Sequence, residues 1–470
     1  MTLQDPKPAK APAQVVDVTA ITKEARHYLL DEHALKSELM AKIDKAFHEG
    51  IEKFSGPEIR RLVERDGLRN IHLHFPVEKV RLLEHYLLEV LADDLYYWSY
   101  RVGRDTLGIQ NEFYIDHLIV MRIHYPHLVA RKAKAEAILA PPYPTRERMR
   151  LGMAALRNPK MLGYAVSRAV AKKLEARRAK KSHAYDAKAT HGNIAIPARA
   201  HGAHVDTWYG HSYDGINLWL SIDGVDEGNT VILYPGMFGQ EVKFDPVSMY
   251  LAEGQATTRP LKYAMDPGQL LVLNPEMLHG TQVNISDQTR VALTTRINPH
   301  KPRFAKEAPF HFEYWYSSTD LEKKRWGRMS VFPHKEYLGQ PSWTKGQPYK
   351  HENMISRQID AKLELGGAAV DVGAIDEMRP GLRLSVDLQN AKAMIWNTKD
   401  GLKAYSRKCP HMGIDLVDGF QDGKEAFCPG HGMPFDIATG KSPCEAFKLR
   451  QYTAYEENGR VMLMHPKSAE

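Results

Sequence analysis

"CPHMGIDLVDGFQDGKEAFCPGH" (Cys409–His431) holds two of the three cysteines in a chain of 470 residues, and a histidine closely follows each. The spacing is C-x-H, sixteen residues, then C-x-x-H. Four Cys and His residues in two pairs can hold zinc or an iron–sulfur cluster. Zinc sites tend to repeat one type of pair, whereas here each loop supplies one thiolate and one imidazole. That division suits two metals with different ligands, Cys409 and Cys428 on one and His411 and His431 on the other.

The flanks extend the signal. "NTKDGLKAYSRKCPH" leads into the first loop and "FDIATG" follows the second. With "CPHMG" and "CPGHG", these residues resemble the Rieske two-iron two-sulfur domain family over residues 372–466. The resemblance implies a small antiparallel all-β domain with a 2Fe-2S cluster on Cys409, His411, Cys428 and His431. High-potential members of that family carry an extra cysteine in each loop, joined as a disulfide. Met412, Gly413 and Gly430 stand in that neighbourhood here, and Met433 replaces the family's hydroxyl donor. The resemblance is therefore to lower-potential centres that feed oxygenases, with Cys444 a small buried apolar residue.

A one-electron carrier calls for an acceptor. "HGAHVDTWYGHSYDGINLWLSI" contains His204-Val205-Asp206, and on a strand residues i and i+2 share a face, so imidazole and carboxylate can reach one metal. His279 follows the apolar run "GQLLVLN" and offers a third ligand, while His201 and His211 lie close enough to compete. Two His and one carboxylate form the facial triad of non-haem Fe(II) oxygenases. Arg290 comes eleven residues after His279, opening the next strand. This ordered set resembles the Fe(II)/2-oxoglutarate dioxygenases, nearest their phytanoyl-CoA dioxygenase-like branch, over residues 105–300. The resemblance implies a double-stranded β-helix (jelly roll) in which His204, Asp206 and His279 bind Fe(II) and carry catalysis with O2. It further implies that Arg290 pairs with the distal carboxylate of 2-oxoglutarate, and that Asn217, Trp219 and Thr230 line the co-substrate pocket. One departure stands out: Ala292 occupies a position where many members carry serine. Arg296 lies six residues beyond Arg290 on the same face and is the competing carboxylate binder.

The remaining sequence frames these sites. With 43% hydrophobic and 26% charged residues, the chain has material for more than one core, and its length predicts two or three domains. The expected fold is α+β and multidomain. A polar, proline-rich tail (1–18) precedes helices with i, i+3, i+4 apolar spacing from about 19 to 110. Short β-type runs follow to residue 300, the two regions forming one domain (19–300). A connector (301–371) then leads to the Rieske domain (372–466). Three cysteines and a polar N-terminus predict a cytoplasmic protein without a disulfide framework. The order excludes an ordinary Rieske oxygenase, which places the cluster first and a D-x-x-H-x-x-x-x-H motif after it.

Charge is uneven: Arg131–Lys188 carries 16 Lys/Arg against 4 Asp/Glu, within a net charge of +7. Its helical spacing of apolar and basic residues fits an anionic membrane surface, an acidic substrate, or a solvated helix packed on its neighbour. Within its helix-like stretch 149–181, Tyr164 is the one aromatic residue for base stacking, which disfavours nucleic acid. The expected substrate is a small or lipid-linked molecule whose aliphatic C–H is hydroxylated. The stretch "HVDTWYGHSYDGINLW" resembles hydroxylases of sugars and cyclitols, including lipopolysaccharide core sugars, and points to an anionic sugar. Further partners are a reductase or ferredoxin and a second copy of the chain. Two alternatives stay open: an oxygenase driven by the cluster without 2-oxoglutarate, and a non-catalytic redox or iron sensor.

Overall fold

The computed structural model describes residues 16–24, 26–132, 145–157, 200–245, 251–306, 314–325, 328–332 and 338–466. Apolar residues at helical spacing build an N-terminal helical layer: α1 (Val18–Glu24), α2 (Lys36–Ser55), α3 (Pro57–Asp66), α4 (Val80–Val90) and α5 (Ala92–Arg101). Between α1 and α2 the expected continuous helix gives way to a strand, β1 (Tyr28–Leu30). Its backbone pairs antiparallel with 270–272, and tertiary pairing outweighs local helical propensity there.

Further along come β2 (Tyr114–Asp116), β3 (Val120–His124), a short helix α6 (His127–Ala130) and α7 (Thr145–Arg157). Then follow β4 (Ile216–Ser221), β5 (Val231–Leu233), β6 (Leu261–Lys262), β7 (Leu270–Leu273), β8 (His279–Thr281) and β9 (Arg290–Asn298). The segment read as a connector contributes β10 (Phe304–Ala305), β11 (Tyr314–Ser317), β12 (Ser330–Val331) and β13 (Leu338–Gly339).

An eight-stranded sheet runs β1-β7-β4-β9-β2-β11-β12, with β3 also on β9, and a three-stranded sheet runs β6-β5-β8. The side-chain period of two sorts the large sheet's faces. Ile216, Leu218 and Leu220 of β4, with Val291, Leu293 and Ile297 of β9, join the core formed with the helices. The opposite face presents Trp219, Leu271, Leu273 and Ala292, which cluster with Val231 and Leu233 of the small sheet. The two sheets thus face each other across a gap, and the candidate metal ligands stand in it.

The C-terminal unit holds β14 (Met354–Ile359), β15 (Val370–Ala374), β16 (Arg383–Leu388), β17 (Lys392–Thr398), β18 (Gly401–Ser406), β19 (Glu425–Phe427), β20 (Pro434–Asp436), β21 (Gln451–Glu457) and β22 (Arg460–Met464). Seven of them form one sheet, β14-β16-β17-β18-β21-β22-β15, and β19–β20 form a hairpin. Strand pairs within 372–466 are antiparallel, while β14, which precedes that range, adds to the sheet parallel to β16. One expectation changes. Residues 301–371 are no separate connector: β11 pairs with β2 in the large sheet and β14 joins the C-terminal sheet, since both bury backbone that a linker would expose.

Most of the basic stretch lies outside the described residues. Its described helix, α7, turns Arg146 and Arg150 onto Asp93, and Met149 and Leu156 to solvent, 62% and 76% exposed. Among the described residues no helix is long and apolar enough to cross a membrane.

Candidate metal centres

His204 and His279 meet across an isolated antiparallel bridge, exchanging backbone hydrogen bonds of 2.7 and 2.9 Å. The H-x-D pair is not on a regular strand as expected. Asp206 opens a 3-10 turn (Asp206–Tyr209), and its N–H donates to the Pro275 carbonyl. The turn still swings its carboxylate inward: Asp206 Oδ1 is 3.5 Å from His204 Nε2 and 3.7 Å from His279 Nε2. One ligand atom from each of the three residues lies within 4.8 Å of the others.

The surroundings fix each ligand. His204 Nδ1 sits 2.7 Å from the Gly202 carbonyl and His279 Nδ1 2.8 Å from the Met277 carbonyl. With the proton on Nδ1, both Nε2 lone pairs face the common point. Burial, ahead of its charged neighbours, pushes His279 down to about 4, which keeps it neutral and able to ligate. Burial pushes Asp206 upward, but Arg296, His279 and His204 outweigh it and hold the carboxyl well below the usual range. Asp206 Oδ2 accepts from Asn217 Nδ2 at 2.5 Å and from Arg296 Nε at 2.9 Å. This donor set fits a divalent ion such as iron.

The three residues line a cavity of about 210 Å³ that also takes in Trp219, Arg122, Arg290, Ala292 and Arg296. Cross-strand register explains the grouping: Arg122 lies opposite Ala292 and His124 opposite Arg290. Arg290 is buried; its Nη1 donates to the Asn229 carbonyl at 2.9 Å and its Nη2 meets His124 Nδ1 at 2.5 Å. Its Nε has no partner among the described residues, and no carboxylate there comes within ion-pair distance. Burial, then Arg122, pushes its guanidinium down to about 9. Arg296, by contrast, already serves Asp206.

Two expected lining residues sit elsewhere. Asn217 turns to Asp206, and Thr230 is buried with its hydroxyl unpartnered among the described residues, leaving Val231 to line the cavity. His201 and His211 both line the cavity, and His211 Nδ1 is engaged by Asp116, which accepts from it at 2.9 Å. Sequence reasoning missed Asp116 and His124. No motif marks them; only the pairing of β2 and β3 with β9 brings them in.

At the second centre, two matching turns present the expected quartet. Cys409 N–H donates to the Ile414 carbonyl and Gly413 N–H to that of Cys409, at 2.9 and 2.7 Å. Cys428 N–H donates to Met433 and Gly432 N–H to Cys428, both at 2.9 Å. The thiols face each other, and the Cys428 contact together with burial raises the Cys409 thiol well above its ordinary range. The rings of His411 and His431 are 4.9 Å apart. Both nitrogens of His411 lack partners among the described residues, and burial pushes that ring down to about 2. The quartet does not converge on a point as the first centre does, so it fits a two-iron group better than a single ion. No disulfide links the three cysteines, and Cys444 belongs to the apolar core around this centre.

The two centres touch. Ala203 N–H donates to the Gly430 carbonyl at 2.6 Å, joining the residue before His204 to the residue before His431. Gly432, at φ +60°, leaves room for Ile232 of β5, which a Cβ would approach to 2.8 Å. His127 of α6 lies against His411, with ring centroids 5.8 Å apart.

Comparison with known proteins bears on the C-terminal unit. The model of the Rieske [2Fe-2S] domain matches residues 368–451. The ferredoxin component of the 2,4-dinitrotoluene dioxygenase system of Burkholderia sp. (strain RASC) is 31% identical over 96 residues, 20% of this chain and 92% of that protein. The ferredoxin component of the naphthalene 1,2-dioxygenase/salicylate 5-hydroxylase systems of Ralstonia sp. is 29% identical over the same shares. Among solved structures, the Sphingomonas yanoikuyae B1 ferredoxin is 27% identical and covers 21% of this chain and 99% of its own, with a TM-score of 0.19. Through its C-terminal domain, with one thiol and one imidazole in each of two loops, this chain belongs to the Rieske [2Fe-2S] domain family.

Proposed function

We propose that the chain is a non-haem Fe(II)/2-oxoglutarate oxygenase, its two facing sheets forming a double-stranded β-helix, with a fused Rieske cluster that supplies electrons to the iron. The observation that carries this reading is one cavity with His204, Asp206 and His279 on one wall and Arg290, buried without a carboxylate partner, on another. An iron held by the triad would supply the oxygen activation needed to hydroxylate an aliphatic C–H. The chain's own residues do the rest. Arg290 binds the distal carboxylate of 2-oxoglutarate, and Arg122 adds positive charge beside it. Trp219 and Val231 exclude water. Asn217 and Arg296 hold Asp206 ionised and aimed at the metal. The basic lining suits an anionic, sugar-like substrate, small or lipid-linked. The test is release of succinate from 2-oxoglutarate under O2 by iron-loaded protein; no release, with or without candidate substrates, overturns the reading and leaves a cluster-driven oxygenase or a redox or iron sensor.

Two observations favour a second reading, in which the cluster drives the oxygenase without 2-oxoglutarate. The Ala203–Gly430 hydrogen bond provides a short path between the centres, and Ala292 stands where a co-substrate serine would be. A single turnover separates the two. With the mononuclear iron ferrous and the cluster oxidised, 2-oxoglutarate chemistry forms product; a cluster-driven cycle forms none until the cluster is reduced.

A further inference from the structure

The oxygenase reading makes no use of a cleft of about 480 Å³ between residues 349–353 and the C-terminal domain, lined there by Arg383 and Phe420–Gly423. Arg383 opens β16 and is 1% exposed. Its Nη1 donates to the Gly419 carbonyl at 2.8 Å, while Nε and Nη2 have no partner among the described residues. Nearby carboxylates are engaged elsewhere: Asp387 and Asp415 with Arg407, and Asp418 Oδ2 with the Gly254 N–H. Nε and Nη2 form one edge of the guanidinium, the edge that binds two oxygens side by side. A buried cation with two open donors is costly unless something accepts from them. Exposed Lys350 adds positive charge at the mouth. Glu352 and Asp422 also line the cleft, and that negative charge disfavours large polyanions.

We propose that this cleft binds a small oxyanion, a phosphate or carboxylate group, held by Nε and Nη2 of Arg383. The site is independent of the oxygenase reading. The test is calorimetric titration of the full, cluster-loaded chain with inorganic phosphate and, separately, with acetate. An Arg290→Met background removes the metal cavity's carboxylate-free guanidinium from the measurement. Saturable one-to-one binding of phosphate alone or acetate alone identifies the oxyanion class; weakening of about tenfold or more in Arg383→Met, with the cluster's visible absorption retained, locates it. If Arg383→Met does not load cluster, Lys350→Glu at the mouth decides, with several-fold weaker binding expected. No saturable binding of either probe up to ~10 mM, or unchanged affinity in the deciding variant, overturns the proposal.

Discussion

Arg290→Met keeps the side-chain stem and removes the charge, so it separates ligand binding from folding. In the ligand-free protein burial brings the guanidinium down to about 9, which corresponds to about 5 kcal/mol against its charged form. The substitution relieves that cost but strips donors from the Asn229 carbonyl and His124 Nδ1, at about 1–3 kcal/mol each. The two effects oppose, and net destabilisation should stay below about 2 kcal/mol. Binding has no such offset. A carboxylate left without its buried cation loses about 3–5 kcal/mol, roughly 10² to above 10³ in Kd. The assay is anaerobic titration of 2-oxoglutarate onto ferrous-loaded protein, beside a urea melt of the ligand-free chain. Affinity within about fivefold of the parent in Arg290→Met would refute the assignment, and loss in Arg296→Met with Asp206 still binding iron would transfer it to Arg296.

Cys409→Ala should abolish the Rieske electron paramagnetic resonance signal of reduced protein, whereas Asp206→Ala should keep it and lose mononuclear iron, read by metal analysis. Glu276 is buried, and burial, only partly countered by the Ser342 N–H, raises its carboxyl to about 7. The native state therefore holds a proton that the unfolded state releases, so stability is full below pH ~4.5 and falls by about 3 kcal/mol as pH rises through 7. Urea midpoints from pH 4 to 8 check this, and Glu276→Gln should flatten the slope. Ala203→Pro removes the N–H that bonds Gly430 and should slow reoxidation of the reduced cluster by the mononuclear centre, followed by stopped-flow absorption; an unchanged rate rules out that path.

The cluster site was legible because both loops carry their ligands and turns in contiguous sequence. The mononuclear triad was legible as residue types and order, but its local geometry was not. His204 gains its position from a bridge to His279 that spans 75 residues, and Asp206 turns inward through a 3-10 turn instead of a strand. Arg290 and Arg296 share a face as the period of two requires, yet their different partners depend on β3 and the 206 turn, which no local pattern announces. The strands of 301–371 were missed because runs of two to six residues carry little period, and what fixes them is pairing with distant edges.

The hydrogen bond from Ala203 to Gly430 also bears on how the protein is assembled. Each metal-binding segment supports the other's backbone, so the order of metal loading matters. On the proposed reading, a chain without its iron–sulfur group should take iron less tightly at His204, because the cluster would no longer fix the Gly430 carbonyl that accepts from Ala203. On the proposed oxygenase reading, that single peptide contact would couple loading of the mononuclear site to assembly of the cluster.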